Sequence, residues 1–286
     1  MERKILFKLF LGLFFCITLF QLKGQNPLSV LAVANQNHST HAYLHDFLKA
    51  TDTWSTTENV QVQQEFEGFI HKLSRKQLQY KSPRSFLKYV YYKVHRKYLH
   101  QYQSPVNFAD LFRKGQYDCL TGTALYAMVF TELGFKYDIT ETTHHVYLTV
   151  YADGQPILIE STNAMGGFMD DPETMGLMLK SYRQGYNSAD GGFYQFKTPV
   201  YQNINLYQLS GLHYLNLALD AYNGKQLTKA LHNMEQALMR YPSNRAYEVM
   251  GIMLTTLEKE EHVDQGTKQY FLSRYAQPQL GASSRH

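Results

Sequence analysis

Between Asp118 and Ser161 the chain changes its hydrophobic period once, and that change limits what it can fold into. After Cys119 the apolar residues Leu125, Met128, Val129 and Leu133 recur at helical spacing, and Gly134 is placed to end the helix. Tyr137 to Thr140 then reads as extended. His144 to Ala152 alternates and is rich in β-branched and aromatic residues, Asp153-Gly154 is a hairpin signal, and Pro156 to Ser161 reads as the returning strand. A helix followed directly by such a meander predicts an α+β fold, with the helix packed on a small antiparallel sheet.

The flanks read as helical. His38 to Ala50 and Glu58 to Gln79 have helical spacing, and Ser82-Pro83 supplies an N-cap and a first-turn proline for a further helix. That helix carries the stripe Leu87, Val90, Tyr91, Val94 and Tyr98, which reads as its core face. Lys88, Lys93, Arg96 and Lys97 form its solvated side. Asn107 to Lys114 is a short helix that stops at Gly115. Gly166-Gly167 and Gly191-Gly192 punctuate loops around a helical piece near Met175 to Tyr182. From Tyr207 to Leu257 the pattern is helical again. Tyr214, Leu217, Ala218, Ala221, then Asn223-Gly224, then Ala230, Met234, Ala237 and Pro242 resemble one tetratricopeptide repeat. The expected organisation is an export signal over 1–24, a domain over 38–200 with its core at 84–168, a helical segment over 207–257, and a flexible tail over 266–286.

Arg3, Lys4 and Lys8 precede an apolar run from Leu9 to Phe20, and Gly24 stands before Gln25, which is the pattern of a cleavable signal. The run is shorter than the roughly 20 residues of a membrane-spanning helix. The reading is a periplasmic or secreted protein, with an uncleaved anchor as the alternative. Cleavage lowers the formal charge from +4 to +1, which leaves no electrostatic case for nucleic acid. It also removes Cys16, one of the two cysteines, so that Cys119 has no partner. Exported proteins usually pair their thiols, and a leftover one is a candidate reactive group. A buried, inert thiol is the plain alternative.

Cys119 stands where a loop enters a helix, and a thiolate there is favoured by the helix dipole. Asp118 is a candidate cap for that helix, and its charge opposes the dipole's effect on the thiol. A thiol attacks a carbonyl best when a histidine takes its proton and a third group orients the histidine. His145 on one strand and Glu160 on its hairpin partner, fifteen residues on, are placed to do so. On an alternating strand His144 shares a face with Val146, Leu148 and Val150, and His145 with Tyr147, Thr149 and Tyr151. His145 is taken as the base, and His144 stays open as the alternative. Gln116 is a candidate oxyanion donor, and Thr162, Asn163, Gly166 and Gly167 are candidate cleft residues. No zinc-ligand spacing, phosphate loop or dinucleotide fingerprint is present, so neither metal nor cofactor is expected.

Phe108 to Gly115, Asp118-Cys119, Ala124-Leu125 and Glu132-Leu133-Gly134-Phe135 resemble the cysteine segment of the transglutaminase-like superfamily. His145-Val146-Tyr147 resembles its histidine strand, and Glu160-Ser161-Thr162 its Asp-Pro-Thr ending. The resemblance covers roughly residues 84–168. It implies a papain-like core and cofactor-free acyl transfer or amide hydrolysis on a peptide or protein substrate. Two departures stand out: Tyr117 where the family has glycine, and Glu160 where it has aspartate. They motivate a second expectation, an inactive scaffold that takes a protein partner through the C-terminal helices.

Overall fold

The computed structural model describes residues 40–50, 55–183 and 200–276. Helix α1 spans Thr40–Lys49 and α2 Thr56–Gln77; Ser55 and Glu58 form a reciprocal capping box at the start of α2. Helix α3 (Pro83–Tyr98) starts at Ser82, whose hydroxyl accepts from Ser85 N, with proline in its first turn. Helix α4 (Phe108–Lys114) ends because Gly115 turns left-handed, at φ +67. Around α4 two short strands, β1 (Gln101–Tyr102) and β2 (Gln116–Tyr117), pair in parallel.

Helix α5, Cys119–Glu132, is the centre of the molecule. Asp118 caps it by accepting from Thr121 N at 2.8 Å, and Thr121 Oγ1 accepts from Asp118 N at 2.9 Å. Every residue from Leu120 to Phe130 is buried, because α1, a later helix and the sheet pack around it. A helix apolar all round is a core helix.

The sheet is antiparallel, in the order β6-β5-β4-β3-β7. Its strands are β3 (Tyr137–Thr142), β4 (Val146–Ala152), β5 (Gln155–Ile159), β6 (Phe168–Met169) and β7 (Tyr201–Ile204). Asp153 and Gly154 both have positive φ, as the tight β4–β5 hairpin requires. Val146, Leu148 and Val150 point into the main core with α5. On the other face Tyr147, Leu158 and Met169 pack with Met175, Met178, Leu179 and Tyr182 of α6 (Pro172–Arg183). Both faces of the sheet are therefore covered.

Helices α7 (Leu206–Asn223), α8 (Leu227–Arg240), α9 (Asn244–Lys259) and α10 (Gln265–Tyr275) complete the chain. The mixed helix and antiparallel sheet make this an α+β protein.

The helices from Leu206 onward share the main core: α7 packs on α1 and α5. Two differences from the sequence reading matter. The strand starts at Val146, not His144, so both histidines lie in the turn before it and His144 is exposed instead of facing the core with Val146. And the part of the expected tail up to Tyr275 is helix: Asp264 caps α10, Phe271 is 1% exposed, and Tyr270 and Tyr275 both donate to Glu235. Phe271 is the one fully buried side chain of α10, and a single such position leaves no period to detect. The export signal over 1–24, Gly191-Gly192 and residues 277–286 lie outside the described residues. Among the described residues no helix is long and apolar enough to cross a membrane.

Candidate active site

Cys119 is the first residue of α5 and the one partly exposed position before eleven buried ones. Two contacts fix the mouth of this helix. Thr123 Oγ1 donates to Val146 O at 3.3 Å, which ties α5 to the start of β4, one residue from His145. Ser161 Oγ donates to Cys119 O at 3.4 Å, which ties it to the end of β5. The second approach needs Gly122, because a Cβ there would lie 2.8 Å from both Ser161 Cβ and Oγ.

His145 leaves its turn with its ring toward β5. Its Nε2 lies 2.6 Å from Glu160 Oε2, and the two side chains are 21% and 4% exposed. With Nε2 engaged, Nδ1 is the ring nitrogen left to face the thiol, and Cys119 lies near enough to act on the charge of the imidazole. Cys119, His145 and Glu160 thus come together from three elements. Burial alone would push the imidazole down, but Cys119 and Glu160 outweigh it and hold His145 up to about 10. Burial would likewise push Glu160 up, yet its bonds to His145, Thr162 and Tyr182 bring it down to about 2.

Glu160 has donors on both oxygens. Thr162 N and Oγ1 donate to Oε1 at 2.9 and 2.6 Å, while His145 and the Tyr182 hydroxyl share Oε2. Thr162 therefore positions the carboxylate. Asn163 is exposed and builds the next turn, its Oδ1 accepting from Gly166 N at 2.8 Å. Gly166 is exposed, and Gly167 is buried against the Glu160 backbone.

Among the described residues no hydrogen bond joins the Gln116 side chain to Cys119, His145 or Glu160. The side chain of the β1–β2 pair that faces them is Tyr102. Burial, then Cys119, Asp118 and Glu160, push its phenol up to about 12. Two-residue strands carry no period, so this pairing was not readable in advance. Tyr117, at the family's glycine position, is buried, with its ring edge-on to His95 at 5.8 Å and to Tyr102 at 5.9 Å. Burial also pushes the Asp118 carboxyl up, against its bonds from Thr121.

Sequence reasoning missed four supports. Tyr91 donates to Glu160 O at 3.1 Å and also to Asn163 O, and His95, one turn on, contacts Ser161 O at 2.9 Å. Tyr92 donates to Met165 O at 3.2 Å. Helix α3 therefore holds the loop that carries Glu160. The available signal was a buried tyrosine in an apolar stripe, whose hydroxyl needs a partner. The fourth support is Tyr182. Its ring lies 5.0 Å from that of His145 and stacks on Tyr147 at 4.9 Å. Tyr182→Phe keeps the ring and removes the donor to Glu160. We expect it to lower stability by about 1.5 kcal/mol, as for a hydrogen bond to a charged group. Urea denaturation checks this, and an unchanged midpoint would show that the bond contributes nothing.

Among the described residues no group of three or more His, Cys, Asp or Glu side chains is arranged to hold a metal ion. No protein-family model matches the chain, and no curated protein or solved structure matches it.

Proposed function

We propose that the chain is an exported, transglutaminase-like thiol hydrolase or acyltransferase acting on peptide or other amide bonds. The observation that carries this reading is the 2.6 Å contact of His145 with Glu160 beside the first residue of α5, Cys119, whose thiol is near enough to raise the imidazole. Cys119 Sγ, its proton held by His145, bonds to the substrate carbonyl carbon. The carbonyl oxygen takes the electron pair, and the Cys119 N–H, in a helical first turn with no intrahelical acceptor, is positioned to stabilise it. The intermediate collapses, the C–N bond breaks, and His145 returns the proton to the leaving amine. Water or a second amine then attacks the thioester carbon, giving its proton to His145; the C–S bond breaks, the Cys119 sulfur is released, and the acyl group leaves as the acid or the new amide. Glu160 keeps the imidazole oriented and balances its charge.

Alkylation by iodoacetamide at pH 5.5 tests this reading. Cys119 should label about 100-fold faster in the native protein than in His145→Ala, the lower end of what a positioned base contributes. Equal rates, both those of an ordinary exposed thiol, would overturn it in favour of the inactive scaffold.

A further inference from the structure

Thr143 to His145 join the end of β3 at Thr142 to the start of β4 at Val146, and they decide where the imidazole points. Inside the turn, Thr142 N donates to His145 O at 2.7 Å and His145 N to Thr142 Oγ1 at 3.0 Å. Thr142 is the last residue of β3 and pairs with Tyr201 of β7, so these bonds tie the His145 end of the turn to the sheet. Two further bonds hold the middle of the turn from outside, and both fall on Thr143. Val200 N, just before β7, donates to Thr143 Oγ1 at 2.9 Å. Arg245 Nη2, in the first turn of α9, donates to Thr143 O at 2.9 Å across 102 residues of chain.

Arg245 is itself held firmly. Its side chain is 12% exposed, and Nη1 lies 3.5 Å from Oε1 of Glu141, whose side chain is 2% exposed. The other oxygen, Glu141 Oε2, accepts from Tyr241 OH at 2.6 Å and from Gln202 Nε2 at 3.2 Å. β3, β7, the end of α8 and the start of α9 thus meet at one buried polar joint. A guanidinium suits it, because its planar fork of donors can serve a carboxylate and a carbonyl at once. Stability alone is a weak reason to bury such a pair, since apolar side chains of similar volume often do as well or better. What the pair adds is a fixed geometry at Thr143.

We propose that Arg245 is a positioning residue for His145, so that the C-terminal helices set the orientation of the catalytic base through the Glu141–Arg245 joint. The proposal rests on the thiol-enzyme reading. His145 is faced by Cys119 from α5, by Glu160 from the loop after β5 and by Tyr182 from α6. Arg245 is faced by Glu141 and Tyr241 and reaches the imidazole only through the turn.

The test is the pH profile of Cys119 alkylation by iodoacetamide from pH 4 to 9 on the full chain. Arg245→Lys keeps the charge and loses the fork. The double variant Glu141→Gln/Arg245→Met leaves neither charge buried alone, and it decides the matter if Arg245→Lys does not fold. A thermal melt by circular dichroism identifies the folded variants. A folded variant should label about tenfold more slowly than the native protein at pH 5.5, with its profile displaced toward that of His145→Ala, as a misplaced base would give. A folded variant with the native rate and profile would overturn the joint alone. Native protein labelling no faster than His145→Ala is a separate outcome: it defeats the thiol reading, and this proposal with it.

Discussion

Replacing Glu160 with glutamine is expected to lower Cys119 alkylation at pH 5.5 by about 100-fold and to reduce stability by about 3 kcal/mol. The stability loss has two origins. The carboxylate accepts from Thr162 N, Thr162 Oγ1 and Tyr182, besides binding His145. An amide has one oxygen to accept with, so its NH2 must meet donors. The imidazolium also loses its counter-charge, but it can shed its proton, which keeps the cost near the lower end for a broken buried pair. The pH dependence follows from both partners. Glu160, lowered from 4.5 to about 2, contributes fully above 4.5 and is lost as pH falls toward 2. His145, raised from 6.5 to about 10, contributes fully below 6.5 and is lost as pH rises toward 10. The native protein and the variant should therefore differ most between pH 4.5 and 6.5. Urea midpoints at pH 3, 5.5 and 9 check this, and a difference independent of pH would show that the pair is not ionised.

Gly167→Ala should do comparable damage without touching a titratable group. A Cβ at Gly167 would stand 2.1 Å from Glu160 O, 2.3 Å from Tyr91 OH and 2.6 Å from Asn163 O. Two of these are backbone oxygens inside the loop that carries Glu160, so the loop itself must move. The expected cost is about 3 kcal/mol, the upper range for overpacking, together with loss of fast alkylation. Adding Tyr91→Phe should not rescue it, because that removes only one of the three obstacles. Rescue to native stability would show that the tyrosine hydroxyl alone sets the constraint.

What was legible in the sequence is what the chain states locally. Gly115, Gly134 and Asp153-Gly154 punctuate elements within a few residues, and the change of period marks helix and hairpin. Cys119, His145 and Glu160 could be singled out together because a hairpin brings positions fifteen residues apart into contact. The supports were hidden for the opposite reason. Tyr91 and Arg245 bond residues 69 and 102 positions away, and periodicity tells that a side chain is buried but not where its polar end goes. The setting of His144 failed on register. A strand that begins at Val146 leaves both histidines outside the alternation that was used to assign their faces.

The sheet stops on one side at β6, whose two residues, Phe168 and Met169, are both buried. Asp170, Asp171 and Pro172 follow at once, and Asp170 is tied to Arg84 at 2.6 Å. An edge this short, closed by two carboxylates and a proline, offers a passing extended chain almost no unpaired backbone groups. Along β6 itself, which covers Leu158 and Ile159 of β5, a second copy or a peptide finds too few backbone groups to add a strand. A ligand arriving there must be recognised through its side chains, so discrimination on that side depends on residue identity and not on an extended backbone alone.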